Sequence, residues 1–273
     1  MNAVRLRQVC FAAPELAPAE QLLGEILGVR VVHRAPELNA EFGLENAVFA
    51  VNGSFIEIVA PLRQDSAVAR FLRAGRRQAL YIVIVDCTDL QRHRRQAQHM
   101  GIRIAHEAVY PNARNIQLHP ADMGWVMLEI DQHAKGREPR FGHFEWAGTG
   151  WHMHVRTDVT VDLMAVELAA SNALPQAERW AGVLGRVAQR IPGGARIALD
   201  YGALCFRDAH ERDGPGDGAT VVQLSVRDPA EVLAHADHLG CRTVADAFEF
   251  CGVWLRLVAA PAQPSAPVER RSG

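Results

Sequence analysis

Two glutamates stand alone in apolar, strand-like runs: Glu129 in V-M-L-E-I (126–130) and Glu57 in S-F-I-E-I-V-A (54–60). A carboxylate in such a run costs several kcal/mol unless it is paired, hydrogen-bonded or protonated. Side chains alternate between the faces of a strand, so Glu129 shares a face with Met127 and Trp125, and Val126, Leu128 and Ile130 point the other way. Both faces are apolar, so both are expected to be covered. Two carboxylates brought together in a low-dielectric cup raise one pKa, which gives a general acid or base near neutral pH. The alternative is that each is satisfied structurally, by a nearby arginine or by water. His152 and His154, two apart in G-W-H-M-H-V, would share a strand face and clamp a metal if a third ligand were in view. None is, and they read as surface or linker histidines.

The elements that position these groups come as a repeat. Segments 6–28, 80–101, 163–185 and 221–240 each begin with a short apolar strand, turn, and continue as an amphipathic helix. Their apolar residues fall at three- and four-residue spacing, and Gly28, Gly101, Gly185 and Gly240 fit C-terminal caps. Further strand candidates follow each helix, among them E-N-A-V-F-A-V-N and S-F-I-E-I-V-A-P-L around Asn52-Gly53. The result is an α+β chain of four βαβββ modules, with middle strands less well marked in the second and fourth. Residues 1–133 form a first module pair holding the expected active cavity. A Gly-, Pro- and charge-rich linker covers 134–150, a second pair 151–260, and a disordered Pro/Ala/Ser-rich tail 261–273.

The bulk numbers exclude several classes. The chain has 273 residues, 49% hydrophobic and 22% charged, with a formal net charge of -2. That describes a soluble globular protein with no electrostatic case for nucleic acid or an anionic membrane. The first residues lack the pattern of a signal peptide, and no apolar stretch approaches the ~18 residues of a membrane span. Five cysteines, odd in number and without C-x-x-C spacing, read as buried free thiols in a reducing cytoplasm. Neither a Gly-rich phosphate loop nor a G-x-S-x-G elbow is present.

Three separated motifs, in order, carry a resemblance. E-F-G-L-E-N (41–46) resembles E-Q-G-V-x-E, and the stretch 55–72 resembles a strand-loop-helix ending in S-x-[IV]-A-[KR]-[FW]-L. L-H-P-A-D-M-G-W-V-M-L-E-I (118–130) resembles M-H-P-K-x-x-G-G-V-L-I-E-L. These patterns belong to the vicinal oxygen chelate superfamily, the glyoxalase and bleomycin-resistance fold, and residues 5–131 look most like its methylmalonyl-CoA epimerases. The second half matches only through the module pattern.

The resemblance implies two module pairs, each a cupped mixed sheet with helices outside. It also implies four divalent-metal positions per pair, one on the first and one on the last strand of each module. Here they fall on Gln8, Glu57, Ile82 and Glu129, with both usual histidines missing. In the second pair they fall near Ala165, Phe206, Val221 and Arg256, which are no ligand set. The expectation is therefore no cofactor; the alternative is Mg²⁺ or Mn²⁺ held through oxygen by Gln8, Glu57 and Glu129. The family pattern also makes Glu45 a second acid/base partner of Glu129 for proton transfer α to a thioester carbonyl. Gln8, a backbone N–H or Tyr81 would then donate to the enolate. Trp125 and Met127 would form an apolar pocket wall, and His119 is a turn residue or a supporting contact. Glu167 and Arg256 would pair in the second cup. Without a 2-His-1-carboxylate set, extradiol dioxygenase chemistry is disfavoured. The implied function is metal-independent proton transfer (epimerase, isomerase or lyase) on a small acid, ketone or thioester, in a cytoplasmic monomer or homodimer. The alternative is non-catalytic sequestration of a small ligand.

Overall fold

The computed structural model describes residues 2–74, 80–124, 126–134, 141–209 and 218–261. The first module runs β1 (Val4–Ala12), α1 (Leu16–Leu27), β2 (Val31–His33), α2 (Glu37–Phe42), β3 (Leu44–Val51), β4 (Ser54–Pro61) and α3 (Ala67–Arg73). The second runs β5 (Leu80–Cys87), α4 (Leu90–His99), β6 (Ile104–Val109), β7 (Ala113–Leu118), α5 (Pro120–Met123) and β8 (Met127–His133). The third holds β9 (Thr160–Ala170), α6 (Ala173–Leu184), β10 (Ala188–Ile191), β11 (Gly194–Ala198) and β12 (Ala203–Asp208). The fourth holds β13 (Gly218–Val226), α7 (Pro229–His238), β14 (Thr243–Val244), β15 (Ala247–Phe250) and β16 (Val253–Ala259). The glycines after α1, α4, α6 and α7 all lie at positive φ, between 62° and 82°, where a side chain is disfavoured and a helix readily ends.

Modules pair edge to edge into two eight-stranded mixed sheets, ordered β2-β3-β4-β1-β5-β8-β7-β6 and β10-β11-β12-β9-β13-β16-β15-β14. First and last strands of a module run parallel (β1 with β4, β5 with β8), and the modules join through antiparallel β1–β5. That junction carries two register shifts, one leaving Arg7 unpaired between Leu6 and Gln8, the other leaving Tyr81 unpaired opposite Cys10 and Phe11. An extra residue in one strand re-aims its side chain, and both Arg7 and Tyr81 reach the same face as Gln8. In the second sheet the registers place Cys205, not Phe206, opposite Glu167. Phe206 turns into the core instead, because a one-residue offset exchanges the two faces of a strand.

The opposite faces of the two sheets share a single core. Val9, Phe11, Val83 and Leu128 of the first belong to the same apolar cluster as Val166, Leu204, Val222 and Leu255 of the second. Between them α1 packs on α7 and α4 on α6. Polar contacts fasten the seam: Leu6 N–H donates to Tyr201 O at 2.8 Å, Trp180 Nε1 to Met123 O at 2.8 Å, and His93 Nδ1 meets Val183 O at 2.9 Å. No described helix is long and apolar enough to cross a membrane.

Part of the expected linker is packed structure. Phe144 stacks on Phe55 at 4.6 Å, Trp151 meets the same ring edge-on at 4.9 Å, and Ala147 is fully buried. The buried Arg7 guanidinium donates to Gly53 O and Gly142 O, both at 2.6 Å, and lies over Phe55, Phe144 and Trp151. Composition suggested a solvated connector, but its aromatic residues fill one end of the first cup. Residues 135–140 of the expected linker and 262–273 of the tail lie outside the described residues.

Candidate active site

The other end of the cup is a cavity of about 420 Å³. Its floor comes from the sheet: Gln8 and Cys10 of β1, Asn46 of β3, Glu57 of β4, Tyr81 and Ile82 of β5, Asn115 and Gln117 of β7, and Glu129 of β8. Glu37, Leu38, Glu41 and Phe42 of α2 form one wall, and His33, Glu145, Trp146 and Gly148 close the side toward the packed segment. Helix α2 ends on Gly43 at φ 65°, a conformation that glycine adopts without strain.

Each floor carboxylate is held by amides. Glu57 accepts from Gln8 Nε2 at 2.8 Å and Asn46 Nδ2 at 2.7 Å, and Glu129 from Gln117 Nε2 at 2.7 Å and Asn115 Nδ2 at 3.1 Å. Asn46 lies opposite Val59 and Asn115 opposite Asp131, in each case two residues beyond the glutamate. The two Asn–Glu pairs are thus related by the module repeat.

Their surroundings differ. Burial raises Glu57 to about 7; the Asn46, Cys10 and Gln8 hydrogen bonds oppose the shift, and the charge of Glu129 adds to it. Burial raises Glu129 well above the usual carboxylate range, with repulsion from Asp131 next, while the Gln117 and Asn115 hydrogen bonds oppose the shift. Asp131, fully buried, is raised by burial to about 7 and accepts from Trp146 Nε1 at 2.5 Å. Beyond it, Asp86 receives a bidentate bond from Arg5, both contacts at 2.7 Å. Gln8 Oε1 and Asn115 Oδ1 are buried without a hydrogen-bond partner among the described residues, so both are acceptors available to a ligand.

The cavity gathers Glu57, Glu129, Gln8 and Tyr81, but other expected residues lie elsewhere. Glu45 is exposed, and its register partner Ala60 is on the face away from Glu57. In the motif E-F-G-L-E-N it is the first glutamate, Glu41, that reaches the cavity. His119 caps α5, its Nδ1 accepting from Ala121 N–H at 3.2 Å, and does not line the cavity. Met127 does not line the cavity but packs against the apolar cluster of Cys10, Leu44, Val59 and Ile82, which does. Trp125 lies outside the described residues. In the second cup Glu167 accepts from Arg207 Nε at 2.9 Å, with Arg256 Nη1 farther away at 3.8 Å. Sequence reasoning missed Asn46, Asn115, Gln117 and Asp131; their signal was a polar residue recurring beside each glutamate within apolar strands.

The metal positions of the fold can be tested on this donor set. Ile82 has no donor atom, both carboxylates already accept two amide N–H groups, and no group of three His, Cys, Asp or Glu among the described residues is arranged to hold an ion. A His-rich divalent-metal site does not fit here.

The chain is 28% identical over 134 residues to mitochondrial methylmalonyl-CoA epimerase of Bos taurus, covering 48% of this chain and 75% of that one. A crystal structure of methylmalonyl-CoA epimerase from Mycobacterium tuberculosis aligns at 27% identity over 48% of this chain and 88% of that chain, with a TM-score of 0.42. A hypothetical protein from Staphylococcus aureus aligns over 94% of this chain and 99% of its own, with a TM-score of 0.64 at 8% identity, a likeness of fold alone. The glyoxalase-like domain model matches residues 9–184, more than half of the sequence and across the crossing segment (141–159, before β9) into α6, so the chain belongs to that family.

Proposed function

We propose that this protein is a proton-transfer enzyme of the epimerase or isomerase type, acting at the carbon α to a carbonyl, with a coenzyme A thioester as the favoured substrate class. One observation carries the reading: two buried, amide-held glutamates face one cavity, and only Glu129 has a second buried carboxylate, Asp131, on its strand face. Glu57, near neutrality and held by two amides, is the base. Glu129, kept protonated beside Asp131, donates to the enolate oxygen, as a neutral carboxylic acid does when its surroundings prevent ionisation. Tyr81, raised by burial to about 12, stays protonated and is a second donor. Glu41 on the α2 wall delivers or accepts a proton from another side, the part the motif suggested for Glu45. The orphan oxygens of Gln8 and Asn115 accept from the substrate. The reaction needs no divalent metal, because the neutral carboxyl supplies the electrophile. Similarity to the epimerases supports the thioester class, and the free cysteines suit a reducing cytoplasm.

The test is exchange of the substrate α-proton in D₂O, followed by NMR on methylmalonyl-CoA and related branched acyl thioesters. Exchange is expected, insensitive to EDTA, and slowed at least ~100-fold by Glu57→Gln or Glu129→Gln. Tight binding without exchange for every thioester, ketone and acid tried would instead support a sequestering protein.

A further inference from the structure

A second cavity, about 600 Å³, opens where the two halves meet. It is lined by Arg30 just before β2, by Met153 to Asp158 of the crossing segment, and by Arg227 just after β13. Three guanidinium groups and His154 face it against the single carboxylate of Asp158. Arg30 and Arg156 make no hydrogen bond or ion pair with a described residue. Arg227 is fixed, its Nε donating to Thr157 O at 3.0 Å and its backbone N–H to Val159 O at 2.8 Å. The seam beneath is pinned by Thr160 Oγ1, which donates to Leu27 O at 2.7 Å. The whole chain carries a net charge of -2, so this concentration of unpaired positive charge runs against the overall balance and focuses anions into a concave site. Guanidinium groups bind phosphate oxygens through paired N–H donors.

The two cavities are neighbours. Arg30, just before β2, lines the second and His33 of β2 the first, three residues on and about 10 Å apart at ~3.3 Å per residue of extended chain. Gly148 lines the first and Met153 the second, on the same crossing segment. A coenzyme A thioester carries its reacting carbon at one end and its phosphates at the other.

We infer that the Arg30–Arg156–Arg227 cavity is a phosphate-ester site that anchors the substrate while its acyl end lies between Glu57 and Glu129. The inference rests on the proposed reaction for its substrate and on the arginines for its anion. Arg156 and Arg227 lie beyond the first module pair, so the second half would contribute to binding.

Calorimetry with inorganic pyrophosphate, coenzyme A and pantetheine, on the wild type and on the Arg30→Glu, Arg156→Glu and double variants, tests it. Pyrophosphate and coenzyme A are expected to bind with salt-sensitive affinity, at least tenfold weaker in each single variant and weaker still in the double. Pantetheine binding should not change. Circular dichroism checks that the variants fold. Equal coenzyme A and pyrophosphate affinities in wild type and double variant, or no pyrophosphate binding at millimolar concentration, would overturn the anchor. Exchange on methylmalonyl-pantetheine, which has no phosphate ester, reports on the reaction separately. Exchange without arginine-dependent binding removes the anchor alone, and arginine-dependent binding without exchange removes the reaction alone.

Discussion

At the scale of residues, Glu57 and Glu129 differ in their charged neighbours. Both accept from two amides, which favours the charged form, but Glu129 also faces Asp131, which disfavours it. This has a consequence for stability as well as for catalysis. The folded pKa of Glu57, about 7, lies above the 4.5 of an unperturbed glutamate, so its contribution is complete below pH 4.5 and lost as pH rises to about 7. At ~1.4 kcal/mol per unit this is roughly 3 kcal/mol. Urea unfolding at pH 5 and pH 8 should show the wild type losing more stability across that window than Glu57→Gln; parallel slopes would place Glu57 in an ordinary solvated setting. Exchange, if Glu57 is the base, should rise through the same pH range. The sequence showed both glutamates, because a lone carboxylate in an apolar strand is conspicuous. It pointed to Glu45, which is exposed, because Glu41 and Glu45 sit in one motif and only the helix–strand turn at Gly43 decides which reaches the cavity. Asp131 went unnoticed because a strand end usually tolerates a solvated aspartate, whereas here Trp146 covers it.

At the scale of elements, helix spacing and capping glycines located α1, α4, α6 and α7, and alternation located the central strands. The bulges at Arg7 and Tyr81 were not legible, since an extra residue leaves no mark in a hydrophobic pattern. The crossing segment was misread for a related reason: its Gly, Pro and charged residues suit a solvated linker, and its aromatic residues find a surface only once β1, β3 and β4 are paired. Phe144 is fully buried between Phe55 and His133 and under the Arg7 guanidinium. Phe144→Ala removes that ring from a packed site, with an expected loss of about 3–5 kcal/mol. Asp131 should also become more accessible, because its Trp146 partner sits on the same segment. Denaturant unfolding measures the loss. A change below ~1 kcal/mol would mean that the segment lies on the surface and that the cup is open at both ends.

At the scale of the molecule, the two sheets share one core but differ in the groups at the centre of their free faces. Glutamates hold the centre of the first cup; Arg207 and Arg256 surround Glu167 in the second. The sequence made the second pair look like a degenerate repeat, and at its centre Glu167 accepts from Arg207 where the first pair has amide-held glutamates. Its mechanical role is larger than the repeat implied. Trp180, fully buried on α6, packs against Phe206 at 5.5 Å and donates to Met123 O of the first half. Trp180→Ala should cost about 3–5 kcal/mol by cavity formation, with an orphaned Met123 carbonyl adding to it. Because apolar residues of both sheets belong to one cluster, that loss should spread across the chain rather than stay in the second half. Hydrogen exchange can tell these apart: amides of β1 and β5 should lose as much protection as those of β9 and β13, and unfolding should remain a single transition. If β1 and β5 kept full protection in Trp180→Ala while β9 and β13 lost theirs, the halves would be independent units. The first cup would then hold its shape without the second, and the Arg227 side of the seam would be free to move relative to Arg30.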